Sequence, residues 1–71
     1  MFKGERVREL RAERNLTLGE LAGKGGISLS YLSELERGSK KPSLATIEKL
    51  SAALNVSPRE FIEQKKTEGI I

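Results

Sequence analysis

"LTLGELAGKGGISLSYLSELERG", residues 16–38, decides how the rest of the chain is read. Thr17 and Glu20 stand at capping-box spacing, where the threonine oxygen and the glutamate carboxylate each satisfy an orphan backbone amide at a helix start. A helix begun there buries Leu21 and Ala22, and Gly25-Gly26 stops it, because glycine enters left-handed dihedrals without steric penalty. Ser28 is then placed to cap a second helix from Leu29 to about Glu36, which turns Leu32 and Leu35 inward and closes at Gly38. Only Gly25, Gly26, Ile27 and Ser28 separate the two. Gly19 and Gly23 each weaken the first of these helices by about 0.5–1 kcal/mol against alanine, so it depends on its neighbours.

Outward from this pair the helical spacing continues. A first helix over about Lys3 to Asn15 places Val7, Leu10 and Arg14 on one stripe, with Glu and Arg interleaved on its exposed face. After the loop "GSKKPS", Ser43 caps a fourth helix in which Leu44, Ile47, Leu50 and Leu54 keep the buried spacing until Asn55. Ser57-Pro58-Arg59-Glu60 combines a capping box with proline at the first helical position, the start of a short fifth helix carrying Phe61 and Ile62. No alternating stretch is long enough for a strand. The expected fold is all-α, a compact five-helix bundle, with residues 1–64 as one domain and 65–71 as a flexible tail or the start of a linker.

Composition narrows the function classes. A chain of 71 residues has room for one domain and buries only about 60% of its unfolded surface. With neither cysteine nor histidine, a disulfide framework and the usual zinc and iron ligand sets are absent, so no metal or cofactor is expected. Paired carboxylates facing a pocket and a phosphate-cradling glycine loop are missing too, and the chain is not expected to be an enzyme. No apolar run approaches the roughly 20 residues of a membrane span. Met1 leads into charged sequence instead of a signal-peptide core, and a cytoplasmic protein without a membrane partner is expected. The formal charge of +3, from 13 basic and 10 acidic residues, is too mild to establish a nucleic-acid partner by itself.

The spacing of residues 18–36 is that of a helix-turn-helix: a small residue, Ala22, where helices cross, glycine in the turn, and an aliphatic residue after it. Such units occur in unrelated settings, so spacing alone leaves DNA binding open. The residues go further. "LTLGELAGKGGISLSYLSELERGSKKPSLATIEKLSAALNVS" resembles the phage repressor and Cro type of helix-turn-helix, the XRE family, most specifically in Leu21-Ala22, Gly26 to Ser28, "YLSELERG" at Tyr31 to Gly38, and Pro42 to Leu44. The resemblance extends from "GERVRELRAERN" to "SPREFIE". It implies a five-helix domain that binds double-stranded DNA, usually in a transcriptional repressor acting as a homodimer on a near-palindromic operator. It also implies that Glu36 pairs with Arg11 and braces the recognition helix. In one respect the chain departs from the pattern. Many members carry glutamine where Leu18 stands, as a clamp on phosphate and on a base-reading side chain. An apolar residue there looks more like the branch in which the domain heads a longer, ligand-sensing regulator, such as one with a cupin domain. If the chain is the front of such a protein, a C-terminal sensor domain is a further expected partner.

With Leu32 and Leu35 inward, Ser30, Ser33, Glu34 and Arg37 face outward and Leu29 sits at the margin. The N-terminal portion of a recognition helix meets base edges, which makes Leu29, Ser30, Ser33 and Glu34 the candidates for direct contact. Glu34 suits cytosine N4 and Leu29 a thymine methyl. The bland alternatives are a Leu29 folded onto Leu18 and a Glu34 that is only a solvated charge. Phosphate contacts fall to Arg37, Lys40 and Lys41, and to the amide-bearing helix starts at Thr17, Leu18 and Ser43, and Ser28 is counted with the DNA-binding residues. Lys40 and Lys41 equally describe a merely soluble loop, and Tyr31 fits either a phosphate contact or packing on the second helix. Val56, Phe61, Ile62 and Ile70-Ile71 offer a small self-complementary patch for a homodimer, or else close the intramolecular core. The competing reading is a protein-interaction module of the same fold, antitoxin-like or an anti-repressor partner.

Overall fold

The computed structural model describes residues 2–62. Four α-helices follow one another: α1 (Gly4–Glu13), α2 (Leu18–Gly25), α3 (Leu29–Arg37) and α4 (Leu44–Leu54), and a 3-10 turn (Pro58–Phe61) comes after them. The starts of α2, α3 and α4 are set by hydroxyl caps. Thr17 Oγ1 accepts from the Glu20 amide at 3.0 Å while Glu20 Oε1 accepts from the Thr17 amide at 2.8 Å. Ser28 and Ser43 accept in the same way from the amides of Tyr31 and Thr46. Without such a cap the third N–H of each of these helices would lack a partner in the protein.

All four helices also end alike. Asn15, Gly26, Gly38 and Asn55 take left-handed φ values of 55°, 68°, 78° and 58°. At each, that residue and the next donate back to carbonyls three and five positions earlier, as Gly26 to Gly23 and Ile27 to Ala22. This is the double-bonded stop that a left-handed residue makes possible. Three of the joints then have one composition: a left-handed residue, an apolar residue packed on the core, and a hydroxyl cap for the next element, in Asn15-Leu16-Thr17, Gly26-Ile27-Ser28 and Asn55-Val56-Ser57.

The core is one cluster of Val7, Leu10, Leu21, Ala22, Leu32, Leu35, Ile47, Leu50, Leu54 and Phe61. Several expectations are corrected here. Arg14 is not on the buried stripe of α1; the helix ends at Glu13 and Arg14, in a non-helical conformation, is exposed. Leu44, the first residue of α4, is 68% exposed and stands outside the core cluster, and Thr46 and Ser51 are the buried residues of that helix beside Ile47, Leu50 and Leu54. The fifth segment is a single 3-10 turn. Its expected capping box does not close: Ser57 Oγ accepts from the Arg59 amide, and the Glu60 carboxylate accepts from Arg6 Nη2 and Nε at 2.9 and 3.2 Å. Phe61 is wholly buried and unavailable to a partner, while Val56 and Ile62 are half-buried against the core. Ile70, Ile71 and the expected tail at 65–71 lie outside the described residues.

The start of α1 has no side-chain cap and is held by long-range contacts instead. Lys3 N–H donates to the Phe61 carbonyl at 2.6 Å, Phe2 forms an antiparallel bridge with Ile62, and the Phe2 and Phe61 rings lie 6.3 Å apart in a tilted arrangement. Gly4 is buried where α1 meets the C-terminal end of α3. A Cβ there would run into the carbonyl oxygen of Leu35. α1 therefore passes against backbone, and glycine is required for steric reasons.

Candidate nucleic-acid interface

α3 is positioned from both sides. Arg11 Nε donates to Glu36 Oε2 at 2.8 Å and Nη2 to Glu36 Oε1 at 3.1 Å, a two-pronged pair between α1 and α3, and Arg11 Nη1 reaches the Leu16 carbonyl at 3.0 Å. The Glu36 side chain is only 8% exposed and that of Arg11 19%. Donating to the Glu36 carboxylate holds the Arg11 guanidinium above its ordinary pKa range, against the desolvation that pulls it down. On the inner face Leu32 and Leu35 are fully buried. Fixed in this way, α3 leaves Leu29, Ser30 and Arg37 exposed, with Ser33 and Glu34 half-exposed beside them.

Leu29 is 53% exposed and does not join the core, whereas Leu18 packs against it. Thr17, Ser28 and Ser43 have their side-chain oxygens engaged with the third amide of α2, α3 and α4. The first two amides of each helix, at Leu18 and Gly19, Leu29 and Ser30, and Leu44 and Ala45, precede the intrahelical ladder, so they face outward with the positive end of the helix dipole. Ser43 Oγ also lies 3.1 Å from Thr46 Oγ1, which is 3.5 Å from the Tyr31 hydroxyl. Tyr31 is therefore directed at the start of α4, with its ring on the core, and Ser43 and Tyr31 belong to one hydroxyl chain. Thr46, the buried middle member, was not singled out from sequence. Its only signal is its place three residues after the Ser43 cap.

Beyond α3 the chain doubles back. The Glu34 carbonyl accepts from Ser39 N at 3.0 Å and from Ser39 Oγ at 3.2 Å, and Lys40 Nζ comes to 3.5 Å from Glu34 Oε1. Lys40 and Lys41 are exposed next to Arg37, a cluster of cations adjoining the outward face of α3. Among the described residues no group of acidic side chains forms a metal site, and no helix is long and apolar enough to cross a membrane.

The helix-turn-helix family model matches residues 7–61. The chain belongs to the helix-turn-helix family. Members with 41–46% identity are transcriptional regulators: DdrOP3 of Deinococcus deserti, 46% identical over 83% of this chain and 46% of its own length, and SinR of Bacillus subtilis, 41% identical over 87% of this chain and 57% of its own. The chain spans about half the length of these curated relatives. Among solved helix-turn-helix structures, the N-terminal DNA-binding domain of SinR superposes with a TM-score of 0.80 at 41% identity, covering 87% of this chain and 91% of that one. SinR in complex with DNA gives 0.76 at 44% identity, covering 79% and 90%.

Proposed function

We propose that this chain is the double-stranded DNA-binding domain of a transcriptional repressor, with the outward face of α3 in the major groove. The observation that carries the reading is the likeness, at 44% identity, to a regulator solved on DNA. The exposed Leu29 and Ser30 and the half-exposed Ser33 and Glu34 then meet base edges. Arg37, Lys40, Lys41 and the free amides at the starts of α2, α3 and α4, capped by Thr17, Ser28 and Ser43, meet phosphates. Leu18 contributes its amide alone, and Tyr31 orients Ser43 through Thr46. Arg11 and Glu36 brace α3 without touching DNA.

A domain of this size covers one half-site, so we propose a homodimer on a near-palindromic operator, with half-sites about 10 base pairs apart. Residues 1–64 form the binding domain in this reading and 65–71 lead toward a further, sensor-type domain. The protein works in the cytoplasm and is not an enzyme.

Selection of binding sites from a random duplex library, followed by titration of the best site and a scrambled one at two salt concentrations, tests the proposal. A near-palindromic motif, preferred over the scramble, is expected. Equal binding to both duplexes, or to neither, would overturn specific regulation by this chain and leave the protein-interaction module as the better reading.

A further inference from the structure

Glu34 is an odd side chain for the outward face of a reading helix, since its carboxylate approaches a polyanion. The geometry around it resolves the difficulty. The Gly38 turn and both donors of Ser39 fold the loop back onto the Glu34 carbonyl, and this places the Lys40 ammonium against the Glu34 carboxylate. The two side chains are built as a neutral unit, 34% and 56% exposed, at the edge between the base-facing surface and the phosphate-facing cations.

We propose that Glu34 and Lys40 act together as the specificity-determining element of the chain: Lys40 is a positioning residue that holds and neutralises the Glu34 carboxylate, and Glu34 selects cytosine at the base pair it faces. The inference rests on the duplex-reading function proposed above. An ionised carboxylate can only accept hydrogen bonds. In the major groove cytosine's own edge presents the N4 amino donor and no acceptor, adenine's own edge sets its N6 donor beside the N7 acceptor, and guanine and thymine present acceptors. Cytosine alone is purely favourable, and the others leave the carboxylate facing a lone pair. Discrimination therefore arises from rejection as much as from attraction. Lys40 makes the approach tolerable by keeping the carboxylate compensated until the base donor is reached, and it is long enough to share itself with a neighbouring phosphate.

The test compares the wild-type chain, Glu34→Gln, Lys40→Met and the double variant. Dissociation constants are measured on the selected duplex and on single base-pair replacements across the half-site. Exposed ion pairs add little to folding, so every variant should retain its thermal transition. For the wild type, replacing one cytosine should weaken binding by about 5- to 150-fold. In Glu34→Gln that single penalty should collapse and the preference at that position should move toward adenine, which glutamine reads, while penalties elsewhere persist. Lys40→Met should flatten the same cytosine penalty as well as lower the salt slope by about one. In the Glu34→Gln background Lys40→Met should change the slope only. A cytosine penalty intact in Glu34→Gln overturns the selection role of Glu34, and one intact in Lys40→Met reduces Lys40 to an ordinary phosphate contact. A wild-type chain without any sequence preference overturns the duplex-reading function beneath the inference, a result distinct from both.

Discussion

The guanidinium of Arg11 makes three hydrogen bonds to two different segments, the Glu36 carboxylate on α3 and the Leu16 carbonyl in the joint before α2. Arg11→Met removes all three and leaves a nearly buried carboxylate without its cation. The expected loss is about 2–4 kcal/mol in urea unfolding, somewhat below a fully buried pair because Arg11 retains some access to water. Combining it with Glu36→Gln should recover part of that loss, since no charge is then stranded. The pH sign is definite. The folded state raises the Arg11 pKa above its unfolded value, so on the basic side the contribution is complete at neutral pH and is lost as strong alkali deprotonates the folded guanidinium. A second residue acts by what it lacks. Gly4→Ala drives a methyl into the Leu35 carbonyl. It should lower stability by about 1–3 kcal/mol, read as a fall in Tm by thermal denaturation.

At the scale of elements, the three-residue joints decide where one helix stops and the next begins. Gly26 has a positive φ, whereas Gly23, one turn earlier in α2, is exposed with open space where a Cβ would stand. Alanine should have opposite effects at the two. Gly23→Ala should raise stability by about 0.5–1 kcal/mol and Gly26→Ala should lower it by about 1–2 kcal/mol, in paired denaturant titrations. These joints also explain what was legible in the sequence. Thr17, Ser28 and Ser43 mark their helix starts because a cap is a local interaction among residues four positions apart or fewer. Glu60 misleads for the opposite reason. Its local partner is the Ser57 amide, but the carboxylate is taken by Arg6, 54 residues away, and no pattern within the segment records that competition. Leu44 misleads because helical spacing fixes an angle about the axis and says nothing of how far the core extends along it. On the outward face of α3, the identities of Ser30, Ser33 and Glu34 were readable from period alone. The pairing of Glu34 with Lys40 was not, since it depends on the path of the loop after Gly38.

For the whole molecule, the distribution of charge matters more than its total. Arg6 and Arg11 are tied to Glu60 and Glu36, and Lys40 is shared with Glu34, while Arg37 and Lys41 adjoin the outward face of α3. A chain of small net charge can in this way present a basic margin to phosphate. Lys41→Ala should weaken binding uniformly across duplex sequences and lower the slope of log affinity against log salt by about one, with the thermal transition unchanged.

The bridge between Phe2 and Ile62 has another consequence. It brings the two ends of the described fold side by side, so that topologically the domain is close to a closed ring whose break happens to lie at this seam. A circular permutant sealed from Ile62 to Phe2 by a short linker, and opened instead between Lys41 and Pro42, would retain every helix and all three of the three-residue joints. Its new ends would emerge among the cations that adjoin α3.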